Sequence, residues 1–410
     1  MHSDFNQRLD RYGKLAVRVG VNLQPGQRLV IRSPVEAASF TRRITEQAYK
    51  AGASFVDVMW RDDHVLLARY LHAGADSLDV YSSWRATSAM EGAERGDALI
   101  SVLAEDPALF VDVDPARVAR VLKVGREKLM PFTRLTMAHA FRWCVVSSAI
   151  PAWAARVFPE DADTAEERLW DEIFKTVRVD QPGHIEAFER HIEVLAERRK
   201  RLTEASFREL HFRGPGTDLT VGLPEGHLWC GGAVFAADGL RSVPNLPTEE
   251  VFTSPHCERV NGVLRASRPL AYNGQLIEGI ELTFSGGKIT HAKASRGSEA
   301  LHKIIETDEG ARRLGEVALV PCSSPIHRSG ILFYNTLFDE TAASHLALGS
   351  SYRTTVEGGR SMTDEEATRA GLNRSLQHVD FMIGSPDIDL VGIFQDGSRE
   401  PVMRSGEWAE

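Results

Sequence analysis

No stretch of the 410-residue chain reaches the ~18 consecutive apolar residues that a membrane-spanning helix requires. The opening MHSDFNQRLDRYGKL is charged and amphipathic where a secretory signal needs an apolar core, so the sequence reads as cytoplasmic, with no membrane partner. Cysteine is scarce: Cys144, Cys230, Cys257 and Cys322 are far apart and form no C-x-x-C pair, which argues against a disulfide framework or a zinc ribbon and fits a reducing compartment. Positive charge is outnumbered, 48 Lys+Arg against 57 Asp+Glu, and no basic block is long enough to track a phosphate backbone, so nucleic acid drops out as a partner. G-x-S-x-G, a Walker P-loop and H-E-x-x-H are all missing, and no G-x-G-x-x-G follows the first predicted strand. RGPGTDL (213–219) holds two of those glycines, but it lacks the third and reads as a hairpin turn. There is no internal repeat and no low-complexity tract.

What is present is an ordinary globular composition, 43% hydrophobic and 26% charged, long enough for two or three domains at roughly 150 residues each. Over about 28–158, short apolar runs alternate with helical patterns. GQRLVIRSP, SFVDVMW, DALISVLA and RWCVVSSAI read as strands, each followed by a helical stretch, and the helix of VEAASFTRRITEQAYKAG closes at Gly52. This pattern predicts a doubly wound α/β domain with a parallel sheet. Two charged helices, 164–177 and 186–205, follow, and then the pattern changes. RELHFRG and DLTVGLP pair about a Gly/Pro turn; ERVNGVLRASRPL, GIELTFSGGKITHAKAS and LVGIFQDGSREPVM carry Asn-Gly, Gly-Gly and Asp-Gly turn signals; one helix is expected over 299–315. The expected fold is therefore α/β: an N-terminal doubly wound domain over 1–200 and a mixed, largely antiparallel β-rich domain over 201–410.

Carboxylates and imidazoles fall in short segments of the second half. In a strand, HVDFMIG (378–384) puts His378, Asp380 and Met382 on one face and Val379, Phe381 and Ile383 on the other, so an imidazole and a carboxylate project together, as a divalent metal such as zinc requires. A strand with a wet polar face is the plainer reading of those residues alone. FDETAASHLALGSSY (338–352) offers Asp339, Glu340, His345 and Tyr352 around small residues; read by itself it is a helix start capped by Asp339, with His345 an ordinary half-buried histidine. In NLPTEEVFT (245–253) Glu249 and Glu250 precede an apolar strand, and in GARRLGEVALV (310–320) Glu316 heads one. A carboxylate pointing inward there needs a cation or a proton, whereas loop capping is the alternative for Glu316.

Taken in order and spacing, NLPTEEVFT, GEVALVPCSSPI, YNTLFDETAASHLALG, SYRTTVEGG and HVDFMIG resemble the thermophilic-type metallo-aminopeptidase family, that of aminopeptidases T and S. YGKLAVRVGVNLQPGQRLVIRSP and LHFRGPGTDLTVGLPEGHLW extend the resemblance over nearly the whole chain. It implies two divalent metal ions, zinc or cobalt with magnesium or manganese as alternatives, held by Glu250, Glu316, His345, His378 and Asp380, with Glu340 a further candidate. It also implies Tyr352 beside the metals, an α/β domain followed by a metal-bearing C-terminal domain, and a homodimer whose sites face an internal cavity. Such residues support hydrolysis of the N-terminal residue of short peptides, with Glu316 bridging, Tyr352 donating a hydrogen bond to the oxyanion, and Glu249 or Glu340 binding the α-ammonium or carrying a proton. CSSPIHR (322–328) departs from the family where an aromatic and an acidic residue before Ser-Pro, and a small polar residue in place of His327, are expected; the ligands are untouched and side-chain preference is affected. Cys257 and Cys322 lie near these segments, as buried free thiols or as soft ligands. The competing readings are a dinuclear metallohydrolase of another class, such as a phosphoesterase, and a catalytically inactive binding protein on the same fold.

Overall fold

The computed structural model describes residues 4–180, 182–272 and 275–409, which divide into two compact units: 1–192 with 233–247, and 193–232 with 248–410. The first is built on a four-stranded sheet in which Phe55–Arg61, Arg28–Pro34, Ala98–Leu103 and Trp143–Ser147 lie side by side in that order, all parallel. The helix Ala38–Lys50 buries Phe40, Ile44 and Ala48, one face at a spacing of four. Gly52 takes a positive φ of 94° just beyond it, as its reading as the closing residue required. Tyr12, wholly buried on the amphipathic helix Phe5–Leu15, stacks on Phe40 at 4.6 Å; its hydroxyl accepts from the Ser147 N–H and donates to the carbonyl of Leu246. Segment 233–247 thus belongs with the first unit, where Val145 N–H also donates to the Pro244 carbonyl.

The second unit contains an eight-stranded antiparallel sheet and a four-stranded one. In the former, Glu209–Gly214 and Thr217–Gly222 form the expected hairpin, and Glu281–Ser285 joins Lys288–Lys293 through Gly286 and Gly287, both at positive φ as a two-residue hairpin turn demands. Two expectations fail locally. Asn261-Gly262 is no turn: both residues lie inside the strand Val260–Arg265. Gly262 is there because a Cβ would stand 2.1 Å from the Asp218 carbonyl oxygen on the neighbouring strand. The helix expected over 299–315 ends at Ile305. Asp308 accepts from the N–H groups of Ala311 and Leu376, a 3-10 turn covers Gly310–Arg312, and a strand begins at Leu314. Among the described residues no helix is long and apolar enough to cross a membrane.

The smaller sheet positions the chemistry. Its strands run in the order His378–Met382, His345–Gly349, Leu314–Leu319, Val251–Thr253, and every neighbouring pair is antiparallel.

Candidate metal centre

Directly paired residues of an antiparallel sheet share a face, and so do residues two apart along a strand. Glu316 pairs with Ala347, and Ala347 with Asp380, which aligns three strands in one row; the next row pairs Phe252 with Ala318, Ala318 with His345 and His345 with Met382. His378, two residues before Asp380, and Glu250, two before Phe252, complete the same face. Ala318, Ala347 and Gly349 contribute little or no side chain among them and leave that face open. Gly349 is further required because a Cβ would meet the Gln377 carbonyl oxygen at 2.1 Å.

The functional atoms converge. His345 Nε2 lies 3.4 Å from Glu250 Oε2, 3.6 Å from Glu316 Oε1 and 3.9 Å from Asp380 Oδ1, whereas His378 Nε2 lies 3.2 Å from Glu316 Oε2 and 3.3 Å from Asp380 Oδ1. Two groups of metal-ligating type result, Glu250–Glu316–His345 and Glu316–His378–Asp380, each with its ligand atoms within 4.8 Å of one another. Glu316 belongs to both and turns one oxygen toward each histidine. The second nitrogen of each ring is tied to the backbone, His345 Nδ1 to the Ala343 carbonyl at 3.2 Å and His378 Nδ1 to the Ser350 carbonyl at 2.8 Å. A carbonyl only accepts, so Nδ1 carries the proton and the Nε2 lone pair of a neutral ring points into the cluster.

Burial makes this arrangement electrostatically costly without a cation. His345 is 1% exposed and Glu316 4%. Glu250 Oε2 is buried and has no hydrogen-bond partner among the described residues. Desolvation, opposed by His345 and reinforced by Glu316 and Asp380, pushes the Glu250 carboxyl up to about 7. Desolvation also raises Glu340 well above the carboxylate range, with Asp380 and Glu250 adding to it. Burial pulls the His345 imidazole down, but the hydrogen bond to Glu316 and the charges of Glu250 and Asp380 outweigh it and hold the group at about 10; His378 is raised likewise by Asp380 and Glu316. Asp380 falls below its ordinary value because its two histidines overcome the desolvation. Burial and then the surrounding carboxylates keep the Tyr352 phenol protonated far above neutrality. A carboxylate oxygen without a donor, beside imidazoles that must otherwise be charged, is the donor set a divalent cation fits.

Other residues singled out from the sequence fall as follows. Asp339 does not cap a helix start: Asn335 caps the short helix Thr336–Asp339, and Asp339 ends it, accepting from the N–H groups of Phe333 and Asn335. His345 is a strand residue, not a half-buried helical one, because the chain turns extended at Ala343. Glu316 is the third residue of a strand buried along its whole length, so capping does not account for it. Glu249 is buried but belongs to neither ligand group, and neither group contains a cysteine. All four cysteines are free. Sequence reading missed Phe252, which stacks at a tilt on Tyr352 with ring centroids 5.5 Å apart; its place two residues beyond Glu250 on a strand was the available signal. It also missed the Ala343 and Ser350 carbonyls, which carry no signal because any residue type supplies a carbonyl.

Residues 5–408 match the model of the family described as Thermophilic metalloprotease (M29). Aminopeptidase 2 of Geobacillus stearothermophilus is 45% identical over 406 residues, 99% of this chain and 98% of that protein. Aminopeptidase T of Thermus aquaticus is 45% identical over 405 residues, 98% of this chain and 99% of its own. Among solved structures, wild-type AmpT from Thermus thermophilus superposes with a TM-score of 0.94 at 43% identity, covering 99% of this chain and 100% of the other.

Proposed function

The chain belongs to the thermophilic metalloprotease family, and from that premise we propose that it is a metal-dependent aminopeptidase that removes the N-terminal residue of short peptides. The relatives named as aminopeptidases support the reaction class. The observation that carries the proposal is the single buried carboxylate of Glu316 shared by two ligand groups.

In this reading Glu250, Glu316 and His345 hold one divalent ion, and Glu316, His378 and Asp380 hold a second, with Glu340 a further ligand beside them. Zinc or cobalt suits this mixture of imidazole and carboxylate, and magnesium or manganese is the alternative where oxygen donors dominate. Bound there, such ions would supply Lewis acidity, activating water as the nucleophile and polarising the scissile carbonyl. Everything else falls to side chains. The Nδ1 hydrogen bonds of His345 and His378 hold both rings in the ligating tautomer. Tyr352, its proton retained by burial, donates a hydrogen bond to the oxygen on which negative charge develops. Where Glu340 is not itself a ligand, its carboxyl, held high by desolvation, passes a proton to the leaving amine. A cytoplasmic homodimer with its sites facing an internal cavity completes the proposal, and sedimentation at equilibrium checks the dimer.

The test is hydrolysis of leucine and arginine amides, dipeptides and a phosphate monoester by purified protein, before and after chelation and with metal restored. Metal-dependent release of free amino acid supports the assignment. Release of phosphate alone moves the site to another class of hydrolase, and no release from folded, metal-loaded protein moves it to a binding role.

A further inference from the structure

Tyr352 owes its position to neither helix nor strand: it precedes the single 3-10 turn Arg353–Thr355. Its backbone is nonetheless held on both sides by hydroxyls. The Tyr352 N–H donates to Ser254 Oγ at 3.3 Å, and Thr355 Oγ1 donates to the Tyr352 carbonyl at 2.6 Å. The two hydroxyl oxygens lie 2.8 Å apart, which closes a ring of polar contacts around one residue. Ser254 and Thr355 are both 0% exposed, so neither hydroxyl exchanges this arrangement for water. Ser254 directly follows the strand Val251–Thr253, four residues beyond Glu250, and so ties the loop of Tyr352 to the strand that presents that carboxylate. Held in this way, the Tyr352 ring meets His378 edge-on at 5.1 Å and leans on Phe252 at 5.5 Å.

We propose that Ser254 and Thr355 are positioning residues for the reaction, which fix the Tyr352 phenol where it stabilises developing charge; this rests on the aminopeptidase reading of the site. The hydrogen bonds of the two hydroxyls go to the Tyr352 backbone and to each other, not to a proposed ligand, so removing one is expected to leave metal binding intact. Catalysis is sensitive to such displacement: an error of about 1 Å in a positioned group costs on the order of 100-fold in rate. A ring held from two sides also explains why a residue without secondary structure can serve a geometric role.

The experiment compares Ser254→Ala, Thr355→Val and Thr355→Ser, each alone and combined with Tyr352→Phe, by kcat and KM for leucine amide, metal content per chain and circular dichroism. Ser254→Ala and Thr355→Val are expected to lower kcat about 10- to 100-fold with KM within about twofold, metal content unchanged and the fold retained. Thr355→Ser, which keeps the hydroxyl, restores kcat to within about threefold of the parent. In the Tyr352→Phe background the same substitutions cost no more than about twofold, because the group they position is already gone. Losses that multiply in that background, an unchanged kcat in both single variants, or a Tyr352→Phe enzyme as fast as the parent would each overturn the proposal. If a hydroxyl-free variant fails to fold, Thr355→Ser and its pairing with Tyr352→Phe still decide the matter: a loss beyond about threefold that persists in the paired variant contradicts it. Failure of the aminopeptidase reading shows separately, as a parent protein that releases no amino acid with any metal.

Discussion

Each proposed ligand has a plainer role that its surroundings remove. Glu250 and His378 are expected to be dispensable for folding and indispensable for the site: Glu250→Ala or His378→Ala lowers metal content and reduces turnover by more than about 100-fold while the circular dichroism spectrum is kept. Metal analysis and leucine release check this, and full activity in either variant removes that residue from the site. Protonation gives a second expectation. The metal-free fold holds His345 at about 10 against an ordinary 6.5, so its charged form stabilises that fold fully below 6.5, and the contribution fades as pH rises through about 10. A metal ligand must be the neutral ring, so loading a divalent ion at pH 7 releases protons and affinity climbs with pH. Calorimetric titration of metal into chelated protein in two buffers of different ionisation enthalpy measures this, and heats independent of the buffer would contradict it. At this scale the sequence was informative where alternation exposed a residue pair, as in His378 and Asp380. It was silent where the partner is a backbone carbonyl or, as with Ser254 and Thr355, a common hydroxyl brought in from a distant segment.

Elements explain why these residues meet. Three strands and the residue leading into a fourth, separated by tens of residues, each contribute one or two ligating groups to one face, and Ala318, Ala347 and Gly349 keep that face clear. Alternation along 378–382 is readable from a single strand, but the register that aligns Glu316 with Asp380 across Ala347 depends on pairings no local pattern encodes. Local signals also misled where a tertiary contact overrode them. Asn261-Gly262 carries the composition of a turn, yet Gly262 serves a close strand approach at a φ of 121°. Gly262→Ala is therefore expected to destabilise the protein by about 2 kcal/mol or more, since it adds backbone strain to a clash with the Asp218 carbonyl. A urea midpoint equal to that of the parent would show that the sheet accommodates the side chain. The helix expected over 299–315 failed for a similar reason, because Asp308 captures backbone N–H groups from a 3-10 turn and a distant loop and stops the helical run.

At the scale of the whole molecule, family membership spans the chain from residue 5 to 408, and both the parallel and the antiparallel sheets were legible from strand spacing and turn residues. All the proposed ligands lie in the second unit, contributed by segments around 250, 316, 340–352 and 378–380. In the proposed reading these segments build one site for two divalent ions, and that site hydrolyses peptides from the N-terminus. Titration of zinc or cobalt into the chelated protein, followed by leucine release from a dipeptide, tests it most directly. Activity absent at the start and rising until about two ions per chain are bound is the result predicted. Full activity in the chelated protein, saturation at a single ion, or no release at any metal concentration would contradict it.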